Sequence, residues 1–204
     1  MYDNIDDHLT PVKIAVIVSS VREGRSGTIV ANWFVGQAGA RPDMSVDVID
    51  LLNLTNLPLT FPSQHMPPAL ETACLLEKVT PRLATADAFV VVTPEYNHSF
   101  PAALKNVIDW HNSEWHAKPI GFVSYGGLSG GLRAVEQLRL VFAELHAVTI
   151  RNTVSFHGVS GQFDDEGWPV DSARYNQTAK VMLDQLLWWT HALRDARTAH
   201  PYAG

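Results

Sequence analysis

Five short apolar segments, rich in β-branched residues, alternate along this chain with longer segments of helical pattern. Such apolar segments are typical of β-strands. Strands that alternate with helices predict right-handed βαβ crossovers, and therefore a parallel sheet with helices on both faces. The predicted strands are VKIAVIVSS (12–20), MSVDVIDL (44–51), AFVVVTP (88–94), KPIGFVSY (118–125) and AVTIRNTV (147–154), and the predicted helices are 27–38, 69–86, 100–110, 132–146 and 173–196.

The strand cores are apolar throughout, which is expected of a sheet that is covered on both faces. We therefore predict an α/β three-layer sandwich in which a five-stranded parallel sheet has the doubly wound order 2-1-3-4-5. At 204 residues and 46% hydrophobic content the chain is long enough for one substantial core. Residues 1–204 are predicted to form a single domain, with 1–11 as a flexible N-terminal extension.

The charge and hydropathy of the chain argue against two classes of partner. The formal net charge is −6 and the 15 Lys and Arg residues are scattered, whereas duplex binding needs a basic face. No apolar run approaches the roughly 18 residues of a membrane-spanning helix. The start of the chain, MYDNIDDHLTP, is acidic where a signal peptide would be basic. We expect a cytoplasmic protein with no nucleic-acid partner and no membrane association.

The cysteine and histidine residues do not form a metal-binding or redox pattern. Cys74 is the only cysteine, so an internal disulfide is impossible. Its apolar neighbours predict a buried, inert thiol. His111 and His116 are five residues apart, which is not the i, i+4 spacing of a helical ligand pair. We predict no metal site.

In a sheet of the predicted order, ligands bind beyond the carboxyl ends of the strands, at the switch point between strands 1 and 3. This rule selects the loops SSVREGRSGT, TPEYNHSF and SYGGLSGG, which follow strands 1, 3 and 4. The first loop places hydroxyls, Arg22 and Arg25 around two glycines at a helix start, which suits a terminal monophosphate. It has neither GK[ST] nor GxGxxG. The alternative is an ordinary N-cap by Ser26 or Thr28 with two solvated arginines.

The other two loops also have unusual compositions. The turn after strand 3 carries two large rings, an amide and a carboxylate before a helix that opens with Pro101. The segment GGLSGG (126–131) contains four glycines in six residues, more than a helix cap needs. Glycine in such a loop lets a ligand approach the backbone, so a flat ring could lie there. The alternative is a flexible turn that leads into the helix at Leu132.

Together the three loops resemble the NADPH-dependent FMN reductase family of flavodoxin-like proteins, which includes quinone, azo and chromate reductases. The resemblance covers about residues 12–155. It is carried by S-x-R-x-G-R from Ser20 to Arg25, by PEYN (94–97) with its continuation SFPAALKNVIDW, and more weakly by Gly126-Gly127. Ser19 stands where family members often have glycine.

The resemblance implies FMN and NADPH or NADH as cofactors, a small-molecule electron acceptor, and a homodimer or homotetramer. It also implies three groups of flavin-binding residues. The phosphate would be held by Ser20, Arg22, Arg25, Gly27, Thr28 and Ile29; the isoalloxazine would be lined by Pro94, Glu95, Tyr96, Asn97 and His98; and its other edge would be closed by Tyr125, Gly126 and Gly127.

The implied function is an FMN-dependent NAD(P)H oxidoreductase that passes a hydride from nicotinamide to bound FMN and on to a quinone, flavin, azo compound or similar acceptor. Because the cofactor carries this chemistry, no side chain is assigned as a catalytic acid or base. Glu95 could act as one or be a local hydrogen-bond acceptor, and His98 could bind a nicotinamide phosphate or cap the next helix. The alternative function is a non-enzymatic FMN-binding electron carrier or redox-sensing module, since the fold alone does not exclude it.

Overall fold

The computed structural model describes residues 10–62 and 66–203. These residues contain one parallel sheet with the order β2-β1-β3-β4-β5, which confirms the predicted topology. Residues 1–9 of the predicted N-terminal extension lie outside the described residues, and the single-domain assignment stays a prediction. The strands are β1 (Val12–Val18), β2 (Met44–Asp50), β3 (Ala88–Pro94), β4 (Pro119–Gly126) and β5 (Val148–His157).

Helices cover both faces of the sheet. The helices are α1 (Gly27–Gly39), α2 (Leu70–Leu76), α3 (Thr80–Thr85), α4 (Ala102–Asp109), α5 (Leu132–Glu144) and α6 (Ser172–Ala199), and a 3₁₀ turn (Leu51–Leu54) follows β2. The cores contain residues of α1 and α6 on one face and of α3, α4 and α5 on the other. The resulting three layers confirm the predicted sandwich.

The prediction of one continuous helix over 69–86 is wrong. The structure has α2 and α3 there, with a break between Leu76 and Thr80. Pro81 lies in the first turn of α3, where a proline is tolerated because the first N–H groups of a helix have no intrahelical partner. In one continuous helix its ring would clash with the preceding turn, so the helix restarts instead.

Cys74 is exposed, so the prediction of a buried thiol is wrong. The short helix α2 buries Thr72, and Cys74 follows it by two positions. At 3.6 residues per turn, two positions are about 200° around the helix, so the thiol faces away from the core. Among the described residues, no helix combines the length and the apolar character needed to span a bilayer.

The central strands are buried on both sides, which accounts for their continuous apolar sequence. All seven residues of β3 are buried. In β1, Ile14 and Val16 pack in the core on the α1 and α6 side, whereas Ala15 and Ile17 pack in the core on the opposite side. Alternate side chains of a strand point to opposite faces, so one apolar run supplies both cores.

The carboxyl ends of β1, β3 and β4 meet at one edge of the sheet. Immediately beyond β1, the amide of Ser19 donates to the carbonyl of Val92 at 3.0 Å, and beyond β3 the amide of Glu95 donates to the carbonyl of Tyr125 at 3.3 Å. The loops that follow these strands therefore start side by side. This arrangement confirms that the sheet brings the three predicted ligand loops together.

Lys118 is a buried cation at the start of β4. Its Nζ donates to the carbonyl oxygens of Leu83 at 2.9 Å and Ala84 at 2.8 Å, at the end of α3. Burial, assisted by the positive charge of Arg197, lowers the pKa of Lys118 from 10.5 to about 8. The folded protein therefore releases this proton at a lower pH than the unfolded chain does.

We expect Lys118→Met to change how stability depends on pH. Between pH values of about 8 and 10.5, the unfolded chain holds a proton on Lys118 that the folded protein has released. The stability contributed by Lys118 therefore rises with pH through that window. Urea unfolding near pH 7.5 and near pH 9.5 should show the wild-type protein gaining free energy of unfolding relative to the variant. A difference in free energy of unfolding between the wild-type protein and the variant that is the same at both pH values would contradict the lowered pKa of Lys118.

Candidate functional site

The loop after β1 contains buried hydroxyl groups that make no hydrogen bond. Ser19 and Ser20 are fully buried, and their Oγ atoms, like the hydroxyl of Tyr125, have no partner that satisfies hydrogen-bond geometry. Burial raises the pKa of Tyr125 far above its ordinary value, and the nearby Ser20 hydroxyl offsets only part of that rise. The phenol is therefore protonated at neutral pH. Buried polar groups without partners are rare and often mark functional sites.

Gly27 allows the first turn of α1 to lie against these hydroxyls. A Cβ on Gly27 would lie 2.2 Å from Ser20 Oγ and 2.6 Å from the Tyr125 hydroxyl, distances that no side chain can occupy. Ser26 holds the N-cap position, but its side chain makes no capping hydrogen bond, so the interpretation of Ser26 as an ordinary cap is wrong. The N–H groups of the first turn of a helix have no intrahelical partners, and with the adjacent hydroxyls they suit an anion.

The two arginines of this loop have different roles. Arg25 donates both Nη groups to the Asp50 carboxylate, and Nη1 also donates to the Ser20 carbonyl at 2.5 Å. Its side chain is 11% exposed, so the alternative of two solvated arginines is wrong for Arg25. Arg22 is exposed and forms no hydrogen bond or ion pair with any other described residue. Arg25 thus fixes the loop to β2, while Arg22 remains available to a ligand.

Asp50 is part of this site, and sequence reasoning missed it. Burial pushes its pKa upward, but the hydrogen bonds from Arg25 and from the Leu52 amide outweigh that effect, and the pKa lies below its ordinary value. Asp50 is therefore a carboxylate at neutral pH, and its charge balances that of Arg25. Its position at the carboxyl end of β2 was the only available sequence signal.

The connection after β3 is a two-residue hairpin turn with strained backbone. Tyr96 and Ser99 exchange two backbone hydrogen bonds of 2.8 and 3.0 Å. The two residues between them have positive φ, 50° at Asn97 and 67° at His98, a region that non-glycine residues adopt at a cost of about 1–2 kcal/mol each. Pro101 holds the N-cap position of α4, so the interpretation of His98 as a cap is wrong.

The Tyr96 ring is half-buried between the first and second loops. Burial raises the pKa of its phenol, and the positive charges of Arg22 and Arg25 oppose that rise. The predicted phosphate loop and the predicted ring-lining turn are therefore close enough for their charges to interact.

Glu95 joins the second loop to the third. Its carboxylate accepts hydrogen bonds from Ser129 Oγ at 2.5 Å, from the Arg133 amide at 3.2 Å and from Arg133 Nη1 at 2.7 Å. Burial alone would raise the pKa of Glu95, but these hydrogen bonds hold it below its ordinary value. Glu95 is thus a hydrogen-bond acceptor, as one of the two interpretations predicted, although its partners are not local: Ser129 lies in the third loop and Arg133 in α5. Sequence reasoning missed both partners.

The glycine-rich loop after β4 is anchored to β4 and β5 at Gly130. The carbonyl of Gly130 accepts hydrogen bonds from Ser124 Oγ at 2.8 Å and Ser155 Oγ at 2.9 Å. Gly131 has a φ of 84°, and a Cβ there would lie 2.8 Å from Ser124 Cβ. Gly127 is exposed, with open space where a Cβ would point. The second pair of glycines serves the fold. In the first pair, a Cβ on Gly126 would lie 3.3 Å from the Gly131 nitrogen, whereas Gly127 leaves the loop accessible.

The remaining predicted residues fall into two places. The Tyr125 side chain lies in the buried core beneath α1, beside the first loop, rather than in the exposed part of the third loop with Gly127. Thr28 and Ile29 line a groove of about 480 Å³ between α1 and the turn that contains Asp165 and Trp168. That acidic turn is exposed. In the described part of the chain, no three His, Cys, Asp or Glu side chains lie close enough together to bind a metal ion.

The fold defines a flavodoxin-like α/β protein in which the N-terminus of α1 follows β1, at the switch point of the sheet. The sequence profile of the family described as NADPH-dependent FMN reductase matches residues 12–161. The chain therefore belongs to that family. This membership confirms the predicted oxidoreductase class and the predicted cofactors, FMN and a nicotinamide dinucleotide.

Individual relatives agree with the family assignment. The chain is 39% identical over 127 residues to an NAD(P)H-dependent FMN reductase of Schizosaccharomyces pombe, a match covering 60% of this chain and 62% of that protein. It is 28% identical to the FMN-dependent NADPH-azoreductase of Staphylococcus haemolyticus, over 86% of this chain and 94% of that protein. The fold is similar to that of the flavoenzyme NAD(P)H:(acceptor) oxidoreductase FerB from Paracoccus denitrificans. The comparison with FerB gives a TM-score of 0.68 and 20% sequence identity, and it covers 89% of this chain and 98% of the FerB chain.

We expect Gly27→Ala to destabilise the protein, because the added methyl group would overlap Ser20 Oγ and the Tyr125 hydroxyl. Overpacking of this kind costs about 1–3 kcal/mol, measurable by urea unfolding. Gly36→Ala is the matched control in the same helix, since a Cβ there meets nothing within 4 Å. The control should be neutral or stabilising by up to about 1 kcal/mol. Equal effects of the two substitutions would show that the close approach at Gly27 has no energetic role.

Proposed function

We propose that the FMN phosphate of this oxidoreductase binds between the loop after β1 and the N-terminus of α1, and that its ring lies between the loops after β3 and β4. The observation that carries this proposal is the group of three buried hydroxyls without partners, of Ser19, Ser20 and Tyr125, of which those of Ser20 and Tyr125 lie beside Gly27. The exposed guanidinium of Arg22 supplies positive charge from the same loop. A helix N-terminus with hydroxyls and one available arginine suits a phosphate dianion.

The residues of the first loop have different roles in holding the phosphate. Arg22 would contact it directly, and the N–H groups of Gly27, Thr28 and Ile29, which have no intrahelical partners, would donate to it. Arg25 acts mainly by bracing the loop against Asp50, while Ser20 lies behind the loop as a further polar group. The residues around the ring are Pro94, Glu95, Tyr96, Asn97 and His98 on one side, with Gly126 and Gly127 on the other.

The redox chemistry, hydride uptake from a nicotinamide and electron delivery to an acceptor, is supplied by FMN when it is bound. The protein contributes binding, orientation and electrostatics. Glu95 is held as a carboxylate by Ser129 and Arg133, so it is not available as a proton donor. No other side chain of the described site is assigned as a catalytic acid or base.

The electron acceptor is proposed to be a quinone, flavin, azo compound or similar small molecule. The azoreductase relative from Staphylococcus haemolyticus supports the azo compound by its name. We also propose a homodimer or homotetramer, as the family resemblance implies, and a cytoplasmic location, as expected from the sequence. Size-exclusion chromatography with light scattering tests the oligomeric state.

Mixing the FMN-loaded protein with NADPH or NADH without oxygen tests the proposed function. An oxidoreductase of this class should lose the visible flavin absorbance rapidly with the nicotinamide alone, and a quinone or azo dye should restore it. The alternative, an electron carrier or redox-sensing module, predicts slow loss or none unless a partner reductase is added. Failure of both nucleotides to reduce bound FMN would refute the oxidoreductase proposal while leaving FMN binding intact.

We expect Arg22→Ala to weaken FMN binding more than riboflavin binding, because only FMN has a phosphate. Loss of a charge-assisted hydrogen bond costs about 1.5–3 kcal/mol, or roughly ten- to a hundredfold in affinity. Flavin fluorescence titrations with both ligands measure this difference. Equal losses for FMN and riboflavin would assign Arg22 to the structure of the loop instead.

Arg25→Ala is the contrasting variant. It leaves the carboxylate of Asp50 without its ion-pair partner, so it should lower the free energy of unfolding of the protein even without FMN. Arg22→Ala should leave that stability almost unchanged, since Arg22 is exposed and has no partner among the described residues.

A further inference from the structure

The turn at Asn97 and His98 has a conformation that its second residue does not favour. Two successive positive φ angles are typical of Asn-Gly or Gly-Gly turns, and His98 stands where glycine is preferred. A strained backbone of this kind persists only where the surrounding structure enforces it. Contacts from outside the turn should therefore hold it in place.

Helix α5 supplies these contacts through Gln137. Its Nε2 donates to the carbonyl of His98 at 2.8 Å, and its Oε1 accepts from Ser99 Oγ at 2.5 Å. One exposed amide thus contacts both the second strained residue and the residue that closes the turn. No flavin-binding role is assigned to Gln137 by the sequence motifs, and it lies on a helix surface where glutamine would otherwise be exchangeable.

Arg133 lies one helical turn before Gln137 on the same side of α5. Its ion pair with Glu95 anchors the residue that precedes the turn, while Gln137 anchors the end of the turn. The two anchors lie on either side of Asn97, so the turn is held at both ends by one rigid helix. This arrangement differs from a simple helix cap, because neither contact satisfies the backbone of α4.

We propose that Gln137 and Arg133 are positioning residues that hold the Asn97–His98 turn in its strained conformation, so that the wall of the flavin site is formed before the ligand binds. Preformed sites bind more tightly because less ordering is left to the moment of binding. The inference rests on the proposed FMN site. It assigns no chemical step to either residue.

Gln137→Leu tests this proposal, with FMN affinity measured by fluorescence titration. Loss of two hydrogen bonds to the turn should weaken FMN binding roughly tenfold. Gln177→Leu is the matched control, because the Gln177 side chain is exposed on α6 and makes no hydrogen bond to another described residue. The melting temperature of the FMN-free protein, recorded for each variant, separates loss of the site from loss of the fold.

Rescue by a second substitution distinguishes positioning from a general effect on the helix. Glycine adopts positive φ without a penalty, so His98→Gly in the Gln137→Leu background should restore most of the lost affinity. The same substitution should not rescue Arg133→Met, since that variant loses the partner of the half-buried Glu95 carboxylate. The visible circular dichroism of bound FMN should follow the same order, being altered in Gln137→Leu and restored in the double variant.

The outcomes separate this inference from the proposed function. If the wild-type protein binds FMN and Gln137→Leu binds it equally well, the positioning role is refuted and the FMN site stands. Failure of His98→Gly to restore affinity would also refute it, because relief of backbone strain would then be irrelevant. If the wild-type protein binds no FMN, the proposed site itself is wrong.

Discussion

The central strand β3 is buried along its whole length between two helical layers, and the other features of the site depend on this burial. A strand with apolar side chains on both faces cannot lie at a solvent-exposed edge, so it needs a neighbour on each side and helices above and below. The chain meets this requirement with parallel crossovers. Because all strands then run in one direction, the loops after β1, β3 and β4 must emerge together.

The polar groups at this end of the sheet are satisfied by contacts between loops. The half-buried carboxylates of Asp50 and Glu95 each have an arginine partner, Arg25 and Arg133. An unpaired charge in such a place would be strongly destabilising. These pairs therefore have a double effect: they neutralise the site internally and they fix the positions of the loops. What remains available is the positive charge of Arg22 and the hydroxyls near Gly27.

The sequence was sufficient to predict the sheet order and the three loops, because both follow from local patterns. Apolar β-branched runs mark the strands, and the order of a doubly wound sheet then determines which loops meet. The ends of the strands were predicted less accurately: β1 ends at Val18 rather than continuing to residue 20, and β5 extends to His157. Backbone hydrogen bonds between neighbouring strands determine where a strand ends, and the apolar pattern of the sequence does not reveal these bonds.

The partners of the site residues could not be predicted, since they are distant along the chain. Asp50 follows Arg25 by 25 positions, and Arg133 follows Glu95 by 38. Nothing in the composition around Gln137 separates it from other surface residues of an amphipathic helix. The strain at His98 was equally hidden, because such a turn usually has glycine at this position. Such contacts become visible only when the fold places the segments side by side.

The difference between the paired Arg25 and the available Arg22 affects how a phosphate would be bound. A phosphate dianion that met two free arginines would be held largely by charge, and its binding would fall steeply with salt. Here Arg25 is already neutralised by Asp50, so the local excess of positive charge is close to that of Arg22 alone. Selectivity for the phosphate then depends more on the geometry of the α1 N-terminus and its neighbouring hydroxyls. Those groups act at short range and are fixed by burial, so the rigidity of the loops matters as much as their charge.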